Sequence, residues 1–261
     1  TTRRDPLPSG GLQPARALRA LKRLKADPDD TAQVFTIIES LSGQAPLRVL
    51  ARFRNDPAGE VLLAERPDLL SALLDREALG RMPRGSLAEA YLAFVEREGI
   101  TADGLVEASR EGRSRELDPS SDFAFVSNRL RDTHDLWHTV TGYQGDVVGE
   151  AALLAFNVAQ LRDPGIAAIV LAALLQPRGA QHSGLLARAF LDGARAAWLP
   201  PTHWEALLPL PLAQVRSMLR IAPTPAYAPL RVSSYLATTG QHAFAPAAWM
   251  KGATALRGFA Q

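Results

Sequence analysis

The stretch FAFVSNRLRDTHDLWHTV (residues 123–140), followed by TGYQGDVVGE (residues 141–150) and the apolar run Ala151 to Phe156, decides the fold class and locates the chemistry. At about 100° per residue, Arg131, His134, Asp135 and His138 fall on one arc of a helix over Phe123–Val140. Phe123, Leu130, Leu136, Trp137 and Val140 cover the rest, so one side can pack while the other carries a polar stripe. Ser121 or Asp122 supplies the N-cap. Gly142-Tyr143-Gln144-Gly145 ends the helix, and Asp146 is placed to cap a second one whose first turns carry Glu150. A tight loop between two helices predicts an antiparallel hairpin, which brings Glu150 back toward the histidines.

Two histidines at i and i+4 lie one turn apart, a separation that suits a single ion about 2.0–2.1 Å from each nitrogen. Asp135 adds a carboxylate, either as a ligand or as the acceptor that fixes an imidazole tautomer. A buried Glu150 alone is costly, whereas a divalent ion with two neutral histidines and two carboxylates has no formal charge. The expected centre is therefore His134, Asp135, His138 and Glu150 around a divalent metal, with zinc the expected ion. The bland alternative pairs Arg131 with Asp135 at i, i+4 and leaves the histidines and Glu150 as ordinary helical residues. His-Asp in place of His-Glu disfavours a zinc metalloprotease. The phosphohydrolases that use a His-Asp pair need a further upstream histidine, whereas His182, His203 and His242 all lie downstream.

Outward from the hairpin the chain reads as helix after helix. Upstream, helical patterns cover Ala15–Lys25, Thr31–Leu41 behind Asp29 and Asp30, Pro46–Asn55, Glu60–Leu63, Leu69–Leu74 and Leu87–Glu98 behind Ser86. Downstream, they cover Asp146–Leu161, Gly165–Leu175, Ser183–Trp198 and Leu212–Leu219. The first of these helices is basic and amphipathic, which suits a solvated face or anionic lipid. Residues 1–14 read as a flexible arm, 15–221 as a single all-α domain, and 222–261 as a Pro/Ala-rich extension that wraps the domain or is disordered. Gly99 to Asp118 is expected to be an exposed connection.

Composition narrows the function classes. A net charge of +2 on 29 basic and 27 acidic side chains leaves no field suited to nucleic acid. With no cysteine, only histidine and carboxylate remain as strong metal ligands. The longest apolar run, Ile166 to Leu175, is half of the ~20 residues a membrane-spanning helix needs, and no apolar leader opens the sequence. The expected location is cytoplasmic, or peripheral on the inner face of a membrane.

His134-Asp135-Leu136-Trp137-His138, eleven residues and then Glu150 resembles the H-D-x-x-H-(eleven)-E signature of the coenzyme Q (ubiquinone) biosynthesis protein four family. Val147-Val148-Gly149-Glu150, Gly85-Ser86-Leu87 with Ala90-Tyr91, and Trp204-Glu205 with Pro211-Leu212 and Val215-Arg216 agree with it. The resemblance spans Ala15 to Ile221. It implies an all-α protein with a metal at the four matching positions, acting on a polyprenylated aromatic intermediate by C1 decarboxylation and hydroxylation. Asp135 and Glu150 would be the proton-moving residues, and Arg131 a contact for an anionic substrate group. Zinc does not change oxidation state, so such a reaction would draw on oxygen, another metal or a partner. The alternative is a non-catalytic scaffold with a structural metal, which binds a prenylated lipid and organises other quinone-biosynthesis proteins. Membrane-surface association and a homodimer are compatible with either.

Overall fold

The computed structural model describes residues 11–26, 32–99, 117–176 and 179–230, and the statements below concern those residues. The expected caps Asp29 and Asp30, most of the 99–118 connection, residues 1–10 of the arm and residues 231–261 lie outside them. The described chain is all-α. The helices are α1 (Pro14–Ala26), α2 (Ala32–Ser42), α3 (Ala45–Arg54), α4 (Pro57–Glu65), α5 (Leu69–Leu74), α6 (Arg76–Gly80) and α7 (Leu87–Glu98). They continue as α8 (Asp122–Asp132), α9 (His134–Thr141), α10 (Val147–Leu161), α11 (Pro164–Leu174), α12 (Ser183–Arg195), α13 (Trp204–Leu207) and α14 (Leu212–Met218).

Local chemistry sets most of these boundaries. Asp56, Asp68, Asp75, Ser86, Ser121, Asp146 and Asp163 each turn a side-chain oxygen onto an N–H of the first turn that follows. The expected helix over Phe123–Val140 is corrected: it divides at Thr133 into α8 and α9. Thr133 Oγ1 donates to the Leu130 carbonyl at 3.0 Å, the acceptor an uninterrupted helix would offer to the His134 amide. The helix expected to reach Trp198 ends at Arg195, where Ala196 turns extended.

α10 is the axis of the fold. It is apolar on nearly every side and buried from Val148 to Asn157, as expected of a helix surrounded by others. Leu153 and Phe156 join the main core with α5, α6, α7, α9, α12, α13 and α14, while Leu154 joins a second core with α1, α2 and α11. A third, smaller core unites α3, α4 and Val126 of α8. Backbone bonds from Leu87 to Leu210, Ala88 to Leu208 and Leu212 to Gly85, each 2.9 Å, tie the start of α7 to the α13–α14 connection. No described helix is long and apolar enough to cross a membrane.

Asp163 links two of these layers. Its Oδ1 accepts from Gly165 N at 2.7 Å and lies 2.8 Å from Ser42 Oγ of α2. Burial pushes its carboxyl pKa up, against the bonds from Ser42, Gly165 and Ile166 that lower it. A folded pKa above the unfolded one contributes stability that is complete below about pH 3.9 and is lost as pH rises through the folded value. Asp163→Asn keeps an accepting oxygen and removes this titration. Denaturant unfolding from acid to neutral pH is expected to show a flatter profile for Asp163→Asn than for wild type. Asp163→Ala should share that flatter profile and lie about 1 kcal/mol below Asp163→Asn at every pH, because it also removes the cap.

Candidate metal centre

The centre is assembled by the hairpin of α9 and α10. Gly142 ends α9 in the left-handed region at φ +79°, a conformation that suits glycine, and its amide bonds the His138 carbonyl at 2.7 Å. The chain then reverses through Tyr143–Gly145, and Asp146 starts α10 by accepting from Val148 N at 3.0 Å. Glu150 consequently sits in the first turns of α10, fully buried, facing α9.

His138 Nε2 is 3.2 Å from Glu150 Oε1, and His134 Nε2 is 3.8 Å from Glu150 Oε2. The two imidazoles meet edge to face with centroids 4.7 Å apart. Potential ligand atoms of His134, His138 and Glu150 all lie within 4.8 Å of one another, so this buried group can hold a metal ion. The donor set fits one: His138 Nε2 and both oxygens of Glu150 are buried with no hydrogen-bond partner among the described residues. Fully buried carboxylate oxygens without donors are expensive unless a cation compensates them. Two nitrogens and a carboxylate also match zinc and other first-row divalent ions.

Neighbouring groups aim these ligands. His138 Nδ1 lies 2.9 Å from the Tyr143 carbonyl, which fixes the proton on Nδ1 and leaves the Nε2 lone pair toward Glu150. Phe94 of α7 stacks on the His138 ring at 5.1 Å and 18°. Asp135 Oδ1 lies 3.2 Å from His134 Nδ1, so Asp135 meets the outer nitrogen of that ring while Glu150 faces the inner one. Burial opposes a charge on His138, but the Glu150 carboxylate beside it prevails and pushes its pKa above the ordinary histidine value. A proton and a metal ion thus compete for the same nitrogen.

The structure brings together His134, His138 and Glu150, with Asp135 behind His134. Arg131 goes elsewhere: its guanidinium pairs with Asp132 at 2.6 Å and reaches Asn128 at 3.3 Å, in place of the i, i+4 pair with Asp135. Arg188 and Arg195 both turn to Asp192, at 2.8 and 3.9 Å. Sequence reasoning missed three contributors. Phe94 was legible only as one of the core positions of α7, the Tyr143 carbonyl carries no side-chain signal, and nothing in the helical period singles out Arg129. Arg129 is in fact buried in a two-pronged pair with Glu205, both bonds 2.8 Å, and also donates to the Thr202 carbonyl at 2.9 Å.

A family model described as coenzyme Q (ubiquinone) biosynthesis protein Coq4 matches residues 15–225. The chain is 29% identical over 203 residues to the mitochondrial ubiquinone biosynthesis protein COQ4 of Clavispora lusitaniae, covering 76% of this chain and 61% of that protein. It is 32% identical over 191 residues to the Komagataella phaffii protein of the same description, covering 70% of this chain and 60% of that one. The mitochondrial COQ4 homolog of Danio rerio is 29% identical over 194 residues, with coverages of 72% and 68%. The chain thus spans less than two thirds of the length of both fungal relatives. A crystal structure of a Nostoc punctiforme chain described in terms of ubiquinone biosynthesis superposes with a TM-score of 0.59 at 21% identity. It covers 80% of this chain and 98% of that one, a likeness of fold. The match of residues 15–225 includes the whole hairpin with its His134, Asp135, His138 and Glu150, and this chain belongs to the coenzyme Q (ubiquinone) biosynthesis protein Coq4 family.

Proposed function

We propose that the chain is a metal-dependent protein of ubiquinone biosynthesis that acts on a polyprenylated aromatic ring and replaces its C1 carboxyl by hydroxyl. The observation that carries this reading is the convergence of two histidine nitrogens on a fully buried carboxylate whose oxygens have no hydrogen-bond partner among the described residues. A divalent ion held by His134, His138 and Glu150 would polarise the ring carboxylate or an adjacent oxygen as a Lewis acid. Asp135 orients His134 through Nδ1 and, standing outside the converging ligand atoms, is the group best placed to accept or return a proton. Glu150 retains a second oxygen for the same purpose if one oxygen binds metal. Loss of carbon dioxide with gain of hydroxyl is a two-electron oxidation of the ring. Zinc has a single oxidation state, and a redox-active ion in its place would still need an acceptor, so oxygen or a partner protein would have to take those electrons.

A second reading is favoured by the seclusion of the centre, whose four side chains are at most 10% exposed. A pocket lined by Arg48, Val158, Arg162, Asp163 and Phe190 opens near the other end of α10, about 12 Å along its axis from Glu150. A closed centre suits a structural metal in a scaffold that binds an isoprenoid lipid and gathers other quinone-biosynthesis proteins. Membrane-surface association through the basic face of α1 and self-association as a homodimer fit either reading. In α1, however, Arg16 is already engaged by Glu39 at 2.7 Å.

His134→Ala separates the two. Elemental analysis, circular dichroism and turnover of a prenylated hydroxybenzoate are expected to show loss of metal and turnover with the helical fold retained. A scaffold would instead lose thermal stability and complex assembly. Turnover by metal-free wild type would overturn metal dependence.

A further inference from the structure

The hairpin turn is held from outside by Arg216 of α14 and by residues that follow that helix. Arg216 Nε donates to the Val140 carbonyl at 2.8 Å and Nη2 to the Thr139 carbonyl at 3.4 Å, while Thr224 Oγ1 donates to the Thr141 carbonyl. These are last-turn acceptors of α9 that have no partner within the helix. On the other side of the turn, Tyr227 Oη accepts from Gln144 N at 2.8 Å and donates to Asp146 Oδ2 at 2.9 Å. Leu230 N donates to Asp146 Oδ1 at 2.8 Å, and Val147 N to the Leu230 carbonyl at 3.0 Å. A side chain at Gly149, the neighbour of Glu150, would collide with the Gln144 carbonyl and the Tyr227 hydroxyl, so the phenol is seated directly on the first turn of α10.

We propose that Tyr227 is a positioning residue: it clasps the turn between α9 and α10 and so holds Glu150 at binding distance from His134 and His138. This rests on the metal reading of the centre. His138 lies in the last turn of α9 and Glu150 in the first turns of α10, so the short connection 142–146 sets their separation. Tyr227 bonds that connection at two points, the Gln144 amide and the Asp146 cap. Ion–ligand distances of about 2.0–2.2 Å leave little slack in such a gap. Burial first, and then the charge of Asp146, push the Tyr227 phenol upward, which keeps it a donor at physiological pH. Tyr227 and Leu230 lie just beyond residue 225, where the family match ends.

The test compares full-length wild type, Tyr227→Phe and Asp163→Ala, the last a cap variant remote from the hairpin. Zinc affinity is measured by chelator competition, and amide hydrogen exchange is followed at Gln144, Val147 and Val148 in the metal-free chains. Tyr227→Phe is expected to bind zinc about 10-fold more weakly, the lower end of the range for outer-shell partners. Its Gln144 amide is also expected to exchange faster. Asp163→Ala should lower the melting temperature without changing zinc affinity, which separates positioning from general stability. Wild-type zinc affinity in a folded Tyr227→Phe chain overturns the proposal, as does unchanged exchange at Gln144. If wild type takes up no zinc, the metal reading fails, and exchange at Gln144 alone then decides whether the clasp exists.

Discussion

Glu150→Gln is expected to keep the fold and lose the metal. The substitution is nearly isosteric and removes a fully buried charge whose oxygens have no hydrogen-bond partner among the described residues, so packing around Ala151 to Phe156 should survive. It also removes the anionic oxygens toward which both histidine nitrogens converge. For wild type, zinc at about 1,000 times its dissociation constant should add about 4 kcal/mol to the unfolding free energy, because the ion binds the folded chain. That increment should vanish in Glu150→Gln. Thermal unfolding with and without zinc reads both states, and an undiminished zinc shift in the variant would remove Glu150 from the ligand set.

Arg129→Met should produce the largest loss of stability in the metal-free chain, about 3 kcal/mol in denaturant unfolding at neutral pH. The Arg129 side chain is 2% exposed and is held by two 2.8 Å bonds to Glu205 and one of 2.9 Å to Thr202, which anchor α8 to the α12–α13 connection and α13. Removing it strands a largely buried carboxylate. Glu205 remains 17% exposed and partly hydrated, so the lower part of the 3–5 kcal/mol range for breaking buried pairs applies. The pH profile supplies a second readout. Burial alone would raise the Glu205 pKa, but its bonds to Arg129 prevail and hold it below the usual carboxylate range. A folded pKa below the unfolded one contributes stability above about pH 4.3 that is lost as pH falls through the folded value. Arg129→Met should lack that acid-limb loss. A variant as stable as wild type would show that the pair is replaceable.

Helix boundaries were legible wherever a single residue caps or stops a helix. Ser86, Asp146 and Gly142 act where their types predict, because capping is a contact within one turn. The division at Thr133 was not, since a threonine is compatible with a helix interior and only its bond to Leu130 reveals the competition. Spacing likewise does not choose between Asp132 and Asp135 as the partner of Arg131, which the structure pairs with Asp132. Arg129 and Glu205 stand 76 residues apart, beyond the reach of periodicity, and the same holds for Tyr227 and Asp146.

The sequence by itself determined the all-α class, the hairpin and the identity of His134, Asp135, His138 and Glu150 as its polar members. Helical period and a short turn are local properties that survive without knowledge of the rest of the chain. Tertiary structure alone decided that His134, His138 and Glu150 converge while Asp135 stands behind His134, and that Phe94, the Tyr143 carbonyl and Tyr227 secure the arrangement. Side-chain direction in a buried centre follows from the torsions of two helices and from packing by segments distant in sequence, and neither is encoded in spacing.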